Sequence, residues 1–398
     1  MIAPDFKKVV PFFQPIIRTA DCRVFAYEVL AREERDGKIH SLGPYFEDPA
    51  VSDLDKLKLD LHVRELAFAA YAASGSKAKL FINLKPSWIY MHRERYDKLP
   101  TLAMLTQYGI DPQNIVIEVT EEELFGDYDI FAKQLAEYRK AGCMLAIDDF
   151  GKGASNVERI AHIMPDIIKI DRSIVQKTDT HHSFYEICSA MSAFGAVSGF
   201  NLLFEGVETA SQLERCVKTS WCYLQGFIFS QAKPGFETEY DNEDLLSDIL
   251  SLQNSQERWH IRRRHDVCTT MESEIERLRP LISLEEEALR ESPALHDLAK
   301  ELPYYCVRCF VCSDEGKLLS HTYQLEGHAV VTVMEDRPSI ENFWGLFAQG
   351  LYALRGEERG YLSDIYKNVT TKENIVTYIH KLRQDRLLCV DIMPTVLY

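Results

Sequence analysis

Short apolar runs recur through the first 230 or so residues, each separated from the next by roughly 20 to 35 residues. They are Lys79–Leu84, Ile115–Val119, Met144–Asp148, Ile167–Ile170, Leu202–Glu205 and Gly226–Phe229. Helical patterns such as Ile130–Lys140 lie between them. Strand-length apolar runs alternating with helices predict βα units and a parallel sheet. Two further runs near the N-terminus, Phe12–Ile17 and Val24–Leu30, bring the set to eight. Eight strands in this length predict an α/β fold, a TIM-type (β/α)8 barrel.

The residues that close these runs are polar. Glu28 follows Val24–Tyr27, Asn83 follows Leu80–Ile82, and Glu118 ends Ile-Val-Ile. Asp148 and Asp149 follow Leu-Ala-Ile, Lys169 and Asp171 flank Ile170, Glu205 closes Leu-Leu-Phe, and Gln225 precedes Gly226. In such a barrel the C-terminal strand ends converge on one mouth. A charge capping one strand at the surface needs no special account. A whole ring of carboxylates does, because they repel one another and lose hydration unless a cation neutralises them. Carboxylates with one Asn and one Gln form an all-oxygen donor set, suited to Mg²⁺ or Mn²⁺. No His stands among them, which counts against zinc. Two hard cations about 4 Å apart, bridged by an aspartate, are the apparatus of in-line phosphoester hydrolysis. Lys169 among them is placed to orient the nucleophile or to offset charge in the transition state.

The motifs then become specific: Phe13-Gln-Pro15, Tyr27-Glu-Val-Leu-Ala-Arg32, Ile82-Asn-Leu84, Ile117-Glu-Val-Thr-Glu121, Asp148-Asp-Phe-Gly151, Lys169-Ile-Asp171, Glu205-Gly-Val-Glu208 and Gln225-Gly226. In this order, over about residues 10 to 235, the chain resembles the EAL-domain cyclic di-GMP phosphodiesterases, with Val29 in place of the name-giving Ala. The resemblance implies metal ligation by Glu28, Asn83, Glu118 and Asp148, with Asp149 and Asp171 serving a second metal. It implies a catalytic carboxylate at Glu205, as base or ligand, and a water and metal shell completed by Lys169 and Gln225. Gln14 and Arg32 match substrate contacts, and the guanidinium fork of Arg32 suits a phosphate. Glu121 matches a residue that holds the loop after strand six of the barrel. The implied reaction is metal-dependent hydrolysis of cyclic di-GMP to linear pGpG, with two Mg²⁺ or Mn²⁺. The alternative is a weak or silent cyclic di-GMP receptor that signals through its C-terminal domain. A two-metal phosphatase for another nucleotide is disfavoured by the full motif series.

One segment departs from the family pattern. After Asp148-Asp-Phe-Gly151 the chain reads Lys152-Gly-Ala-Ser-Asn-Val157, where the family carries a small residue, then Gly-Tyr-Ser-Ser-Leu. In the family this loop is thought to order the second metal site and couple it to dimerisation.

Residues 1–240 are thus read as the barrel and 241–298 as a helical linker. Asp241, Glu243 and Asp244 suit a helix start. Leu245, Ile249, Leu252, Trp259, Val267, Met271, Ile275 and Leu278 then keep helical spacing up to Pro280. Arg262-Arg-Arg-His265 within it reads as a solvated face. Residues 299–398 read as a small α+β domain with an antiparallel sheet. Its predicted parts are a strand–turn–strand over Phe310–Leu319, strands at Val330–Met334, Ile375–His380 and Leu387–Met393, and an aromatic-rich helix at Ile340–Leu354 capped by Ser339. Cys306, Cys309 and Cys312 are spaced as in an iron–sulfur motif, but the fourth position is Gly316. Three free thiols on a strand is the preferred reading. This region resembles the PAS-like domain of YkuI-type EAL proteins through Cys312–Lys317, Phe343-Trp344, Tyr361–Tyr366, Thr370–Glu373 and Val390–Ile392. Such domains are regulatory or dimerisation modules, so a homodimer is expected.

Charge and hydropathy narrow the partners. Forty-five Lys and Arg against 61 Asp and Glu give a net charge of −16, which excludes nucleic acid bound by phosphate neutralisation. The N-terminus lacks a signal-peptide pattern. The longest uncharged run, Ile187–Phe204, contains several Ser and Gly and reads as a buried helix, a turn and a strand rather than a membrane span. A cytoplasmic protein is expected.

Overall fold

The computed structural model describes residues 3–85, 88, 99–119, 128–152, 157–219, 221–282, 289–326, 329–333, 360–368, 372–383 and 385–397. The chain divides into two units, Met1–Gln253 and Asn254–Tyr398.

The first unit holds strands β1 (Val9–Arg18), β2 (Arg23–Arg35), β3 (Lys38–Ser41), β4 (Lys79–Leu84), β5 (Ile115–Val119), β6 (Met144–Phe150), β7 (Ile167–Ile170), β8 (Asn201–Phe204) and β9 (Tyr223–Leu224). Its helices are α1 (Gly43–Glu47), α2 (Asp53–Ser74), α3 (Pro100–Tyr108), α4 (Tyr128–Ala141), α5 (Val157–Ile163), α6 (Arg172–Lys177), α7 (His182–Ser198) and α8 (Ala210–Thr219). The sheet order is β1-β9-β8-β7-β6-β5-β4-β2, and a β1–β2 pairing closes it into an eight-stranded barrel with β3 hanging on β2. From β2 round to β9 the barrel neighbours are parallel. β1 runs antiparallel to both its neighbours. The cause is local: a turn over residues 19–22 joins β1 to β2, far too short for a crossover. The last strand also differs from expectation. Tyr223–Leu224 form it, and Gly226–Phe229 is a turn packed under the loop that follows β8. A Cβ on Gly226 would collide with the backbone of Val207, so glycine is required there.

Strand alternation fixes the interior. One apolar layer is made by Ile16, Ala26, Phe81, Val116, Ala146, Ile167 and Leu203, all fully buried. Two residues further along β2, β4, β5, β6, β7 and β8 stand Glu28, Asn83, Glu118, Asp148, Lys169 and Glu205. The polar ring therefore lies one pleat above an apolar plug. The alternate residues of the strands pack outward against the helices in the larger core. The uncharged run Ile187–Phe204 forms the end of α7, a left-handed Gly199 at φ 85° and β8. Its helix is not buried on all sides, since Val197 is 88% exposed. Among the described residues no helix is long and apolar enough to cross a membrane.

The long helix α9 spans Glu243–Leu278, and α10 spans Pro293–Glu301. The second unit carries strands β10 (Cys306–Ser313), β11 (Thr322–Glu326), β12 (Ala329–Val333), β13 (Tyr361–Leu362), β14 (Tyr366–Lys367), β15 (Asn374–Arg383) and β16 (Arg386–Ile392). They form an antiparallel sheet in the order β12-β11-β10-β16-β15-β13, with β14 also on β15. One face packs on Val267, Met271 and Ile275 of α9 and on Leu295 and Leu298 of α10. Cys306, Cys309 and Cys312 are buried free thiols on β10. The helix expected at Ile340–Leu354 lies outside the described residues, as do Glu121 and residues 153–156.

Candidate active site

Lys169, 1% exposed on β7, is the hub of the barrel mouth. Its ammonium meets Glu118, lies 2.5 Å from Glu205 Oε1 and 3.1 Å from Asp148 Oδ1, and is 3.8 Å from Glu28 Oε1. One cation thus faces four carboxylates from four strands. Burial would lower the Lys169 pKa, but these anions hold it well above its ordinary value. Burial, followed by the charge of Asp148, pushes Glu118 far up. Burial likewise pushes Glu205 to about 8, against the pull of Lys169. Burial also acts on Asp148, yet Lys169 holds it below the usual carboxylate range. Too little positive charge faces these carboxylates to offset their burial, and Glu118 and Glu205 are therefore pushed up.

Asp148 and Asp149 are consecutive, and simple alternation would aim them at opposite faces. The β6–β7 register shifts between Ile147 and Phe150, and Asp149 takes a left-handed φ of 55°. This bulge lets both aspartates serve one mouth. Carboxylate oxygens then converge in two sets. Glu118, Asp148 and Glu205 bring theirs within 4.8 Å of one another, and so do Asp149, Asp171 and Glu205. Glu205 contributes an oxygen to both sets. Asp171 also caps α6, accepting from Ser173 N at 2.8 Å.

These residues fit divalent cations. The donors are all oxygen, one Glu118 oxygen (Oε2) is buried without a hydrogen-bond partner, and three adjacent carboxylates in each set need positive charge. Asn83 stands beside Glu118 in the β4–β5 register.

Gln225 Nε2 donates to Glu28 Oε2 at 2.6 Å and to Gln14 Oε1 at 3.4 Å. Gln14 Nε2 donates to the Ser230 carbonyl at 3.2 Å. Gln14 and Gln225 thereby aim Glu28. Beside the ring opens a cleft of about 690 Å³, walled by Arg32, Asn83, Lys85, Trp88, Asp148 and Lys152 among others. That size suits a small-molecule ligand. Arg32 donates to the Ala31 carbonyl at 3.0 Å, leaving most of its fork for a ligand.

Arg64 was not anticipated from sequence. It is 2% exposed, and its guanidinium binds Asp60, the Asn83 carbonyl at 2.9 Å and Thr101 Oγ1 at 2.5 Å. It therefore anchors the end of β4 where Asn83 projects. The available signal was an Asp60/Arg64 pair at i,i+4 inside the apolar stripe Leu59, Val63 and Ala67.

Comparison with known proteins places this geometry. The EAL domain model matches residues 3–232, and the model of the EAL-domain associated signalling protein domain matches residues 240–398. The chain is 27% identical over 409 residues to the uncharacterized EAL-domain containing protein YkuI of Bacillus subtilis, covering 100% of this chain and 97% of that one. The crystal structure of YkuI, in complex with substrate c-di-GMP and calcium, shares the fold at a TM-score of 0.79 and 24% identity, covering 98% of this chain and 97% of that one. Over 182 residues it is 31% identical to the cyclic di-GMP phosphodiesterase RocR of Pseudomonas aeruginosa, 46% of each protein. The manganese/cy-diGMP complex of Klebsiella pneumoniae BlrP1 matches at a TM-score of 0.52 and 29% identity, over 60% of each chain.

Proposed function

The chain belongs to the EAL-domain family, and on that premise we propose that it hydrolyses cyclic di-GMP to linear pGpG with the help of two Mg²⁺ or Mn²⁺ ions. The observation that carries this reading is the pair of carboxylate sets sharing Glu205 around a buried lysine, beside a cleft with Arg32 in its wall. Relatives whose names or titles state cyclic di-GMP hydrolysis or binding support the same substrate.

In this reading Glu28, Asn83, Glu118 and Asp148 hold one cation, and Asp149, Asp171 and Glu205 the other. When bound, the cations supply Lewis-acid stabilisation of the phosphate oxygens. Arg32 seats a non-bridging phosphate oxygen, and Gln14 and Gln225 keep Glu28 aimed. With the cations bound to offset its burial, Glu205 would be ionised and would accept the proton of the attacking water. Lys169 offsets the negative charge that builds up as one ester bond opens. Glu121 is assigned the loop-holding role by motif alone.

Incubating the purified protein with cyclic di-GMP and Mg²⁺ or Mn²⁺, and separating the products by chromatography, tests the proposal. Linear pGpG that disappears with excess chelator is the expected result; undiminished turnover in chelator would refute it. The second reading, a silent receptor, is favoured by the pairing of Lys152 with Asp149 at 3.1 Å; it predicts nucleotide binding without product. We assign the residues after the barrel to pairing of two copies, which the mass in solution checks.

A further inference from the structure

The segment that departs from the family pattern begins at Lys152, and its placement is dictated by the backbone. Lys152 N donates to the Asp149 carbonyl at 3.1 Å, closing a turn over residues 149–152. Asp149 and Gly151 both take positive φ, 55° and 96°, and a Cβ on Gly151 would collide with Ile174. The turn is therefore tight, and it brings residue 152 back over residue 149. There the Lys152 ammonium lies 3.1 Å from Asp149 Oδ2, at the cleft wall. Asp149 is one of the three carboxylates of the second set, with Asp171 and Glu205.

We propose that Lys152 is a tethered monovalent occupant of the second cation position, so that its ammonium competes with a divalent ion for Asp149 and sets how much metal this site requires. The inference rests on the two-cation reading above. Its physical basis is charge. The first set has its own fixed cation, Lys169, buried and locked by four anions. Lys152 instead is 59% exposed, on a flexible stem and free to swing into water. An exposed pair of this kind is weak and breaks at little cost. It lowers the affinity of a second cation without abolishing it. The two positions therefore fill unequally, and the second follows the concentration of free divalent ion.

The test is calorimetric titration of Mn²⁺ into the full-length protein without nucleotide, for the natural chain, Lys152→Ala and Lys152→Arg. Two ions are expected to bind. The weaker should tighten roughly three- to fivefold in Lys152→Ala, the size of an exposed ion pair, and stay near the natural value in Lys152→Arg. The tighter site should not change. Raising the salt should narrow the difference between Ala and the natural chain. A weaker site that is unchanged in Lys152→Ala, or tightened equally by Arg, overturns the inference and leaves the two-cation reading intact. Failure of every protein to bind a second ion overturns both.

Discussion

Each unit buries a polar cluster, and the two differ in how charge is balanced. In the second unit Asp391, 0% exposed, accepts from Arg308 Nε at 2.5 Å and from Thr377 Oγ1 at 2.5 Å. The Tyr366 hydroxyl completes the chain, 2.7 Å from Thr377 Oγ1. One buried anion meets a guanidinium on one oxygen and a neutral hydroxyl on the other. In the barrel a single lysine meets four carboxylates, with Asp149 and Asp171 beside them. Both clusters sit on sheets and both are buried. The balanced one is complete as it stands and needs only a structural account. The unbalanced one is stable only with retained protons or added cations, and a fold that keeps such a deficit does so for chemistry.

The largest expected effect that sharpens this comparison is on rate. Glu28→Ala and Glu205→Gln should each slow cyclic di-GMP hydrolysis on the order of a thousandfold, because each removes a ligand or base from the reacting charge. Thermal unfolding of Glu205→Gln should stay level or rise, since a repelled buried carboxylate is gone. A variant that lost stability as well as rate would mark the barrel cluster as structural too, and the contrast would fail.

The converse substitution comes next. Asp391→Asn removes the buried carboxylate to which Arg308 Nε donates at 2.5 Å, which should cost about 3 kcal/mol. Calorimetry should show that unit melting earlier, while Mn²⁺ binding by the barrel stays unchanged. Near-neutral stability would mean that the Arg308–Asp391 pair behaves as a surface ion pair despite its burial.

Much of the barrel site is legible in sequence because strand geometry is so regular. A residue two places beyond an apolar interior residue must face the same way, so reading the ends of the runs finds Glu28, Asn83, Glu118, Lys169 and Glu205. What periodicity lacks is direction. It cannot tell that β1 is antiparallel, and only the short turn after Arg18 does so. It also misplaces β9, because Gly226–Phe229 is apolar for packing beneath Val207 rather than for pairing. The bulge at Asp148 and Asp149 is invisible to an alternation rule, which would separate the two. Arg64 is hidden for another reason: a charge on an apolar helix face reads as a solvated edge until its partners, Asp60, Thr101 and the Asn83 carbonyl, are seen together.

Per pH unit, the smallest effect is the one that tests charge deficit most directly. Burial raises Glu205 from an ordinary 4.5 to about 8, although Lys169 opposes it. Between those values the folded protein keeps a proton that the unfolded chain has released. Stability must therefore fall as pH rises from about 4.5 to about 8 and level off above, by at most about 1.4 kcal/mol per pH unit for this one group. Glu118, also raised, adds to the slope of the natural chain, so the useful quantity is the difference between that chain and Glu205→Gln. Denaturant unfolding of both proteins in chelator at pH 5, 6.5 and 8 measures it. The Gln variant should show the shallower decline. Divalent ions should reverse the trend in the natural chain, because each ion displaces protons and binds more tightly as the pH rises. Equal slopes for the two proteins in chelator would remove Glu205 from the proton-retaining carboxylates, leaving Glu118 and Asp149, both also pushed up by burial, to account for the deficit.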